Sequence, residues 1–324
     1  MGEVGQERRL RRGREVAEAA AIEWLRINPG FPRPGAAHVL KTHPNSTVCR
    51  LDEAYPDGSA VVAKLAPPTA IAAERRLYSE VLPLLPVAVP EYRGSSDGPQ
   101  GAWLFLSYVD GQPYDSSRAE HRRLAGRYVG LLHAASSQSR PAAGLARRDT
   151  VFVKEQIEGS RAAIQIGRSN GAVSQSGQDL LREFQSRLDL LSACWERVGE
   201  YLESMPHALV HGDFVSKNCG VRHSDGRPEL VVMDWELAGW GPIATDLGWV
   251  DLDAYRSSLG DTWPELSEGA LEDLSNCGRM LRTVVAPNWE AAELATSFVD
   301  KSLYRVRAYL EQLDACLAAA HWIE

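Results

Sequence analysis

His211-Gly212-Asp213-Phe214-Val215-Ser216-Lys217-Asn218 is followed a short way along the chain by Val231-Val232-Met233-Asp234-Trp235-Glu236. A run of apolar residues leads into each segment, Ala208 to Val210 in the first and Leu230 to Met233 in the second. Because short apolar runs that end in polar residues are typical of buried strands, we expect each motif to start where a strand ends. Two carboxylates and one carboxamide would then lie at strand ends instead of on an ordinary surface.

The oxygen-bearing side chains of these two segments suit phosphoryl transfer from a nucleoside triphosphate bound with Mg²⁺. Asp213 would orient a substrate hydroxyl and accept its proton. Asn218 and Asp234 would offer oxygen ligands to Mg²⁺, which is a hard cation. Each of the three also has a structural alternative, as a loop cap, a turn residue and a charged strand end, respectively. His211 is interpreted as a packing and hydrogen-bonding residue rather than as an acid or base.

The composition sets limits on the class of protein. The chain has 324 residues, of which 44% are hydrophobic and 24% charged, so it can form a substantial core. Its formal net charge of −8 argues against a nucleic-acid-binding protein and is compatible with a cationic substrate, although it is also ordinary for a cytosolic enzyme. No apolar run has signal-peptide or membrane-spanning length, and the cysteines show no zinc-binding spacing. We therefore expect a cytoplasmic protein with no nucleic-acid or membrane partner.

The first third of the chain is predicted to form a helix and then a small β-rich region. Residues 1–30 carry apolar residues at helical spacing, and Pro29-Gly30 ends that helix. The other elements predicted in this region are strands at 38–40, 48–51, 60–65 and 103–109 and a helix at 69–82.

The chain from about residue 116 onward is predicted to be mostly helical. Apolar residues recur at three- and four-residue intervals in segments 124–134, 180–202, 271–284 and 292–319, and segment 167–178, rich in Gly, Ser and Gln, is predicted to be a loop. Two lobes follow from this pattern. Residues 1–110, with the N-terminal helix 1–30, would bind nucleotide, and residues 111–324 would form a helical catalytic and substrate-binding lobe, with a ligand cleft between the two.

The ordered set of motifs resembles the aminoglycoside phosphotransferase and choline kinase-like family, which shares the protein-kinase fold. Val61-Val62-Ala63-Lys64 resembles the third-strand lysine motif, residues 104–111 the hinge between lobes, and residues 242–247 the segment after the metal-binding aspartate. With the two central motifs they occur in family order over residues 35–255. The resemblance implies a two-lobed α+β fold. Its N-lobe would be a small antiparallel β-sheet with one helix, and its C-lobe would be larger and mainly helical.

The resemblance also implies a nucleotide site. Lys64 would pair with Glu74 and with the α- and β-phosphates, although Glu80 is a second acid on the same predicted helix and a snorkelling lysine is the alternative. The backbone of Ser107 and Val109 would bind the base of ATP or GTP. Segment 41–47 contains no glycine, unlike the phosphate loop of protein kinases. Ser46 and Thr47 in it would donate to the β-phosphate, or the segment is a plain loop.

The predicted acceptor is a small amine-bearing alcohol. Acidic residues follow the second motif, with aromatic residues between them, and this combination suits a cationic substrate or an ordinary solvated surface: Asp251, Asp253, Asp261, Glu265 and Glu268. The predicted function is transfer of the γ-phosphate of a nucleoside triphosphate, with Mg²⁺, to a hydroxyl of an aminoglycoside-type or other antibiotic. Two alternatives stay open, a metabolic kinase of choline, homoserine or a sugar-like alcohol, and a nucleotide-binding pseudokinase module.

Overall fold

The computed structural model describes residues 3–43, 45–98, 101–139 and 144–321, and the chain forms two compact units. Unit 1 comprises Met1–Tyr114 and Ser216–Glu236, and unit 2 comprises Asp115–Val215 and Leu237–Glu324. The sequence predicts one boundary, after residue 110. The chain instead enters unit 2 at Asp115 and returns to unit 1 for the segment that carries Asn218 and Asp234.

Unit 1 is built on a five-stranded antiparallel sheet. Its strands are β1 (Ala36–His43), β2 (Ser46–Asp52), β3 (Val61–Ala66), β4 (Tyr92–Gly98) and β5 (Gly101–Ser107), in the spatial order β1-β2-β3-β5-β4. Helix α1 (Glu3–Ile27) covers one part of this sheet through Trp24, which is fully buried and packs 5.4 Å from the ring of Phe105. The central position of β3 explains its nearly continuous apolar sequence, since both of its neighbours are strands.

The predicted strands of unit 1 are all present, but β4 is missing from the prediction. Its sequence, Tyr-Arg-Gly-Ser-Ser-Asp-Gly, is polar and does not alternate. As the edge strand of the sheet it needs few apolar residues, so hydrophobic periodicity carries no signal for it. The predicted helix at 69–82 is α2 (Pro68–Arg76), which continues as a π-helical turn over Leu77–Val81.

Two smaller sheets place the motif residues at strand ends. In unit 1, β6 (Gln112–Pro113), β8 (Cys219–Ser224) and β9 (Arg227–Val232) form a sheet in the order β6-β8-β9. In unit 2, β7 (His207–Val210) pairs antiparallel with β10 (Gly239–Pro242). His211 therefore follows β7 directly, and Asp234 lies two residues beyond β9, as the apolar runs before them predict.

Unit 2 is mainly helical. Its helices are α3 (Ala119–Ser139), α4 (Thr150–Ser169), α5 (Gln175–Ala193), α6 (Trp195–Ser204), α7 (Leu252–Leu259), α8 (Glu268–Leu294) and α9 (Asp300–Ala318). The sequence does not predict α4. The predicted helix 180–202 is in fact two helices that meet at Cys194, and the predicted helix 292–319 begins in α8 and resumes only at Asp300. Apolar spacing persists across both breaks, because each side of a break packs on the same core, so periodicity alone does not locate them.

The predicted loop at 167–178 is shorter than expected. Helix α4 runs to Ser169 and α5 starts at Gln175, so only residues 170–174 are non-helical. Asn170 organises this connection: its Nδ2 donates to the carbonyl oxygen of Leu294 at 2.8 Å, and its Oδ1 accepts from the amide of Ala172 at 2.9 Å. Ser174 then caps α5 by accepting from the amide of Gly177.

Within the described ranges, no helix is both long and apolar enough to span a membrane. All five cysteines lie in those ranges as well, and none of them forms a disulfide.

Two glycines of α8 offer a matched test of how this helix packs. A Cβ at Gly278 would collide with the carbonyl oxygen of Ala244, whereas a Cβ at Gly269 would meet nothing within 4 Å. We expect Gly278→Ala to lower the free energy of unfolding by roughly 1–3 kcal/mol through overpacking. We expect Gly269→Ala to raise it by up to about 1 kcal/mol through helix propensity. Urea unfolding of both variants checks this, and equal effects of the two substitutions would refute the close packing at Gly278.

Candidate active site

Lys64 is the centre of a charged cluster in unit 1. It lies on β3, opposite Val48 of β2 and Leu104 of β5, and is 7% exposed. Its Nζ is 2.8 Å from each of three carboxylate oxygens, of Glu74, Asp234 and Glu236. Because an ammonium is costly to bury without partners, these ion pairs account for a lysine in the middle of an apolar sheet.

The structure brings Lys64 and Glu74 together and leaves Glu80 apart. Glu74 lies on α2 and is 1% exposed. Glu80 is on the solvent side of the following turn, where its carboxylate is 3.5 Å from Arg76. Glu236 of the second motif also pairs with Lys64.

The cluster changes the protonation equilibria of its members. Burial alone would lower the pKa of the Lys64 ammonium, but Glu74, Asp234 and Glu236 outweigh burial and hold that pKa above its ordinary value. Burial, together with the charges of Asp234 and Glu236 and against the opposing effect of Lys64, raises the pKa of the Glu74 carboxyl to about 7. The cluster therefore carries more negative than positive charge, which favours binding of a further cation.

In buffer without divalent cations, the stabilising contribution of Glu74 protonation is expected to disappear as the pH rises. The folded-state pKa of about 7 lies above the ordinary value of 4.5, so the folded protein retains a proton that the unfolded chain loses. This contribution is complete below about pH 4.5 and is lost as the pH rises through about 7. Between those limits, the wild type should lose on the order of 1–3 kcal/mol relative to Glu74→Gln in urea unfolding. A difference between the two proteins that does not vary with pH would contradict this expectation.

The β8–β9 hairpin places Asn218 beside Asp234. Cys219 and Val232 are partners in the antiparallel register, so Asn218 before β8 lies opposite Met233 after β9. The amide of Met233 donates to the carbonyl oxygen of Asn218 at 2.8 Å and closes the end of the hairpin. Asp234 follows with φ +65, in the left-handed region that aspartate tolerates better than most residues. The two predicted metal ligands therefore stand at one end of one hairpin.

The donor set of this cluster fits a hard divalent cation. One oxygen from each of Glu74, Asp234 and Glu236 lies within 4.8 Å of the others. Asn218 is 3% exposed at the adjoining hairpin end. Carboxylate and amide oxygens are the protein ligands that Mg²⁺ prefers, usually one or two carboxylates together with substrate phosphates. The surplus of carboxylates over Lys64 provides the negative charge that such an ion would neutralise.

The predicted phosphate loop is a tight β-hairpin. Thr42 pairs with Thr47 and His43 with Ser46, so Ser46 and Thr47 are the first residues of β2 and are half-buried. Pro44 lies outside the described residues. Partial burial lowers the pKa of His43, Lys41 and Lys217 lower it further, and Asp234 and Glu236 oppose them. Cationic side chains therefore stand near the carboxylate cluster. The role of Ser46 and Thr47 in binding phosphate stays a prediction.

The residues predicted to bind the base, Ser107 and Val109, lie at the last position of β5 and two residues beyond it. The amide of Ser107 donates to the carbonyl oxygen of Glu91 at 2.9 Å, and the Ser107 hydroxyl accepts from the amide of Glu91 at 2.8 Å. Val109 is half-buried beyond the strand. Since the amide of Ser107 already has a partner, its carbonyl and the backbone of Val109 are the better candidates for contacts with a base.

In unit 2, Asp246 organises the loop that carries Asp213. Its two carboxylate oxygens accept from the amides of His211, at 2.6 Å, and Gly212, at 3.0 Å. His211 is fully buried, and its Nδ1 accepts from the amide of Asp213 at 3.2 Å. Gly212 has φ +80, and a Cβ there would collide with the carbonyl oxygen of Leu237, so the position requires glycine. The hydrogen-bonding role predicted for His211 is confirmed, and Asp246 has a structural role as well.

Asp213 is held by an arginine that the sequence does not indicate. Arg282 on α8 places its Nη1 2.6 Å from Oδ1 of Asp213, and Asp213 is 8% exposed. The guanidinium of Arg282 also stacks on Trp289, with its central carbon 4.1 Å from the ring centroid. Burial lowers the pKa of Arg282, and Asp213 opposes that effect. The pair fixes the orientation of the Asp213 carboxylate at the strand end.

A pocket of unit 2 opens beside this loop. It contains about 660 Å³ of empty space, including solvent at its mouth, and Gly212, α4 and α8 contribute to its wall. Two arginines line it, Arg148 and Arg282, and each stacks on an aromatic ring, Phe152 or Trp289. Of the residues that the structure describes, no aspartate or glutamate lines this pocket. The wall is therefore mainly apolar and cationic, and Gln156 and Thr245 are its neutral polar side chains.

The acidic residues that suggested a cationic substrate lie elsewhere in unit 2. Asp251 caps α7 by accepting from the amide of Ala254 at 2.9 Å. The other four, Asp253, Asp261, Glu265 and Glu268, are exposed on α7 and around the start of α8. Tyr255, which the sequence groups with them, is fully buried and hydrogen-bonds to His133. The structure therefore does not gather these groups into one site.

Comparison with known proteins assigns the chain to a class of enzyme. A sequence model of the phosphotransferase enzyme family (APH) matches residues 45–281. The chain belongs to this family. The predicted enzyme class, a phosphotransferase, is thereby confirmed. A comparison with curated proteins finds no match.

Solved structures of kinases share the fold. The macrolide 2'-phosphotransferase MphH from Brachybacterium faecium is 20% identical, with a TM-score of 0.55 over 88% of this chain and 96% of that one. APH(2")-IIia in its complex with GDP and kanamycin is 14% identical, with a TM-score of 0.59 over 91% and 97%. Choline kinase from Cryptosporidium parvum Iowa II is 11% identical, with a TM-score of 0.61 over 89% and 93%. At these identities the likeness establishes the fold, and the predicted α+β fold of the aminoglycoside phosphotransferase and choline kinase-like proteins is confirmed.

The residues that sequence reasoning missed are those of the pocket. Arg282 and Trp289 lie on α8, and Arg148 and Phe152 at or near the start of α4. In the sequence, each of these residues looks like an ordinary residue of a helix or a loop. Only the packing of α4 against α8 brings them together. The one usable signal, charged and aromatic residues at helical spacing, is too common to single them out.

Proposed function

We propose that this phosphotransferase transfers the γ-phosphoryl group of a nucleoside triphosphate, ATP or GTP, to a hydroxyl of a small molecule. The observation that carries the proposal is the buried Lys64 with its three carboxylates, next to a hairpin end that presents Asn218 and Asp234. A purely structural ion pair would need one carboxylate, and the additional negative charge is what a metal–nucleotide complex would use.

On the nucleotide side, Lys64 would donate to the α- and β-phosphates while Glu74 keeps it oriented. Asn218 and Asp234 would hold Mg²⁺, which when bound neutralises charge on the phosphates. Ser46 and Thr47 would donate to the β-phosphate from the start of β2. The backbone of Ser107 and Val109 would receive the base, and backbone contacts of this kind leave both ATP and GTP as candidates.

On the acceptor side, Asp213 would orient the substrate hydroxyl and accept its proton. The hydroxyl oxygen forms a bond to the γ-phosphorus, the bond from that phosphorus to the β–γ bridging oxygen breaks, and the nucleoside diphosphate leaves. Asp213 needs a fixed carboxylate for this role, and Arg282 and the His211 loop provide that restraint.

An aminoglycoside-type or other amine-bearing antibiotic is the acceptor that the sequence suggests, with a metabolic alcohol as the alternative. Solved relatives of both kinds share the fold. The exposed acidic residues of α7 and the start of α8 would support an amine, but none of them lines the unit 2 pocket. A pseudokinase module is the less favoured reading, because Lys64, Asp213, Asn218 and Asp234 are all present.

A product screen tests the proposal. The full-length protein is incubated with ATP or GTP and Mg²⁺ and with kanamycin, a macrolide, choline, homoserine or a hydroxy acid, and mass spectrometry detects phosphorylated products. We expect at least one phosphate ester with the wild type and much less of it with Asp213→Asn in the same time. If the two proteins form the same amount of product, Asp213 is not the base. If neither forms product and neither binds nucleotide, the kinase proposal fails.

A further inference from the structure

We propose that the unit 2 pocket beside Asp213 binds a mostly apolar alcohol that carries a carboxylate, rather than a polyamine, and that Arg148 receives the carboxylate. The proposal rests on the kinase function proposed above and names the class of its acceptor. It stands on the chemistry of the pocket wall, where two guanidinium groups and apolar side chains meet without an acidic residue among those described.

Arg148 is a cation built into the pocket without an acidic partner. Its Nε donates to the carbonyl oxygen of Leu237 at 2.7 Å, and its Nη2 to that of Ala238 at 3.3 Å. It makes no ion pair with any residue of the described ranges, and its central carbon lies 4.3 Å from the ring centroid of Phe152. The partners of this half-buried guanidinium are neutral, so its positive charge is not compensated by the protein. At a partly closed site, an anionic ligand compensates that charge better than water does.

Two glycines make room for the stem of Arg148. A Cβ at Gly239 would lie 2.9 Å from its Cγ, and a Cβ at Gly241 would lie 2.7 Å from its Cβ. The amide of Arg148 also donates to the carbonyl oxygen of Trp240 at 2.8 Å, which ties this residue to the strand β10. Arg148 is therefore held in place by packing and by backbone pairing, as a binding residue must be.

Most of the other side chains of the wall are apolar, which favours a ligand with an apolar body. Phe152, Val153, Leu281, Val285 and Trp289 line the pocket. Arg282 also lines the pocket, and its Nη1 lies 2.6 Å from Oδ1 of Asp213. Its charge is therefore already paired with a carboxylate. An acceptor that lies along this wall, with its carboxylate at Arg148, would have its other end on the side of Arg282 and Asp213, where a hydroxyl is needed.

The same wall disfavours an amine. An ammonium group in this pocket would lose hydration and meet two guanidinium groups, with no carboxylate from the described lining to pair with. The carboxylate of Asp213, the residue after Gly212 of the lining, is paired with Arg282. Repulsion between an ammonium group and the two guanidinium groups opposes binding. The pocket therefore discriminates against amine-bearing acceptors, the class that the acidic surface residues suggest.

The test uses three benzyl alcohols that differ only in charge. They carry, in the para position, an acetate, an acetamide or an ethylammonium group. Binding to the full-length protein is followed by ligand-observed NMR without nucleotide, and phosphorylation is followed by mass spectrometry with ATP and Mg²⁺. We expect binding in the order acetate, acetamide, ethylammonium, with at least about a tenfold difference in Kd between the first and the last, which corresponds to one well-placed charge interaction.

Variants of Arg148 show whether the pocket causes the order. Arg148→Gln should abolish the preference for the acetate, and Arg148→Lys, which keeps the charge, should retain part of it. Arg168→Gln is the control, because Arg168 is an exposed arginine near the end of α4, away from the pocket lining. Thermal unfolding of each variant verifies that it folds. An unchanged preference in Arg148→Gln, or tighter binding of the ethylammonium compound to the wild type, would overturn the proposal.

The binding and product readouts separate this inference from the proposed function. If the acetate compound binds preferentially and through Arg148, but no acceptor in either screen becomes phosphorylated, the pocket assignment stands and the kinase proposal fails. If phosphorylation occurs and favours the ethylammonium compound, the kinase proposal stands and the acceptor class argued from Arg148 is wrong.

Discussion

Asp213→Asn is expected to lower kcat by about 10²- to 10⁴-fold, the range typical of a general base, with little change in KM for the nucleotide. The amide has the size of the carboxylate but does not accept the proton of the acceptor hydroxyl. Asparagine can still accept a hydrogen bond from Arg282, so the loop after β7 should keep its conformation. Steady-state kinetics with any acceptor found in the product screen, together with thermal unfolding, measures both effects.

A matched substitution controls for the loss of one carboxylate. Asp225 is exposed in the turn between β8 and β9 and has φ +51, a conformation that asparagine adopts readily. Asp225→Asn should therefore leave kcat within about twofold of the wild type, since it changes the same functional group away from all proposed site residues. If Asp213→Asn retained the activity of Asp225→Asn, Asp213 would have no part in proton transfer.

Lys64→Met is expected to destabilise the protein by about 3–5 kcal/mol and to abolish phosphoryl transfer. The substitution leaves Glu74, Asp234 and Glu236 without the ammonium that lies 2.8 Å from each of them. Removing one partner of a buried ion pair costs this much because the other partner is left with uncompensated charge. Urea unfolding near pH 7 measures the loss of stability, and the product screen measures activity.

A double substitution separates the structural effect of Lys64 from its effect on the reaction. In Lys64→Met/Glu74→Gln the buried carboxylate is gone as well, and we expect at least about 1 kcal/mol of stability to return. Activity should not return, because the phosphates would still have no lysine. Lys301→Met, at an exposed position of α9, should change stability by no more than about 0.5 kcal/mol. Recovery of activity in the double variant would show that Lys64 acts only by offsetting Glu74.

The Lys64 cluster of unit 1 could be predicted in large part from the sequence. A lysine in an apolar strand needs an acidic partner, and the family resemblance favours Glu74 of the next helix over Glu80; the structure pairs Lys64 with Glu74. Two apolar runs, each ending in polar residues, likewise place His211 and Asp234 just beyond strand ends. These features depend on short stretches of sequence, so they can be predicted without knowledge of the tertiary structure.

The pocket could not be predicted in this way. Arg148 and Arg282 are far apart in the chain, and only the packing of α4 on α8 makes them neighbours. The edge strand β4 and the break at Cys194 were missed for a related reason, since neither produces its own hydrophobic period. The acidic residues after Asp246 show the opposite error. Their proximity in sequence suggested a substrate site, but helix geometry spreads them over a solvated surface.

The central claim is that Lys64, Asn218 and Asp234 bind a nucleoside triphosphate together with Mg²⁺. Thermal stabilisation by nucleotide, measured with and without Mg²⁺, tests this claim most directly because it needs no knowledge of the acceptor. The account predicts that ATP or GTP raises the unfolding temperature only when Mg²⁺ is present. At a nucleotide concentration of about 100 Kd the gain should be about 2.7 kcal/mol, and Asp234→Asn should remove most of it. Stabilisation that is independent of Mg²⁺ and equal in Asp234→Asn, or no stabilisation by either nucleotide, would contradict the account.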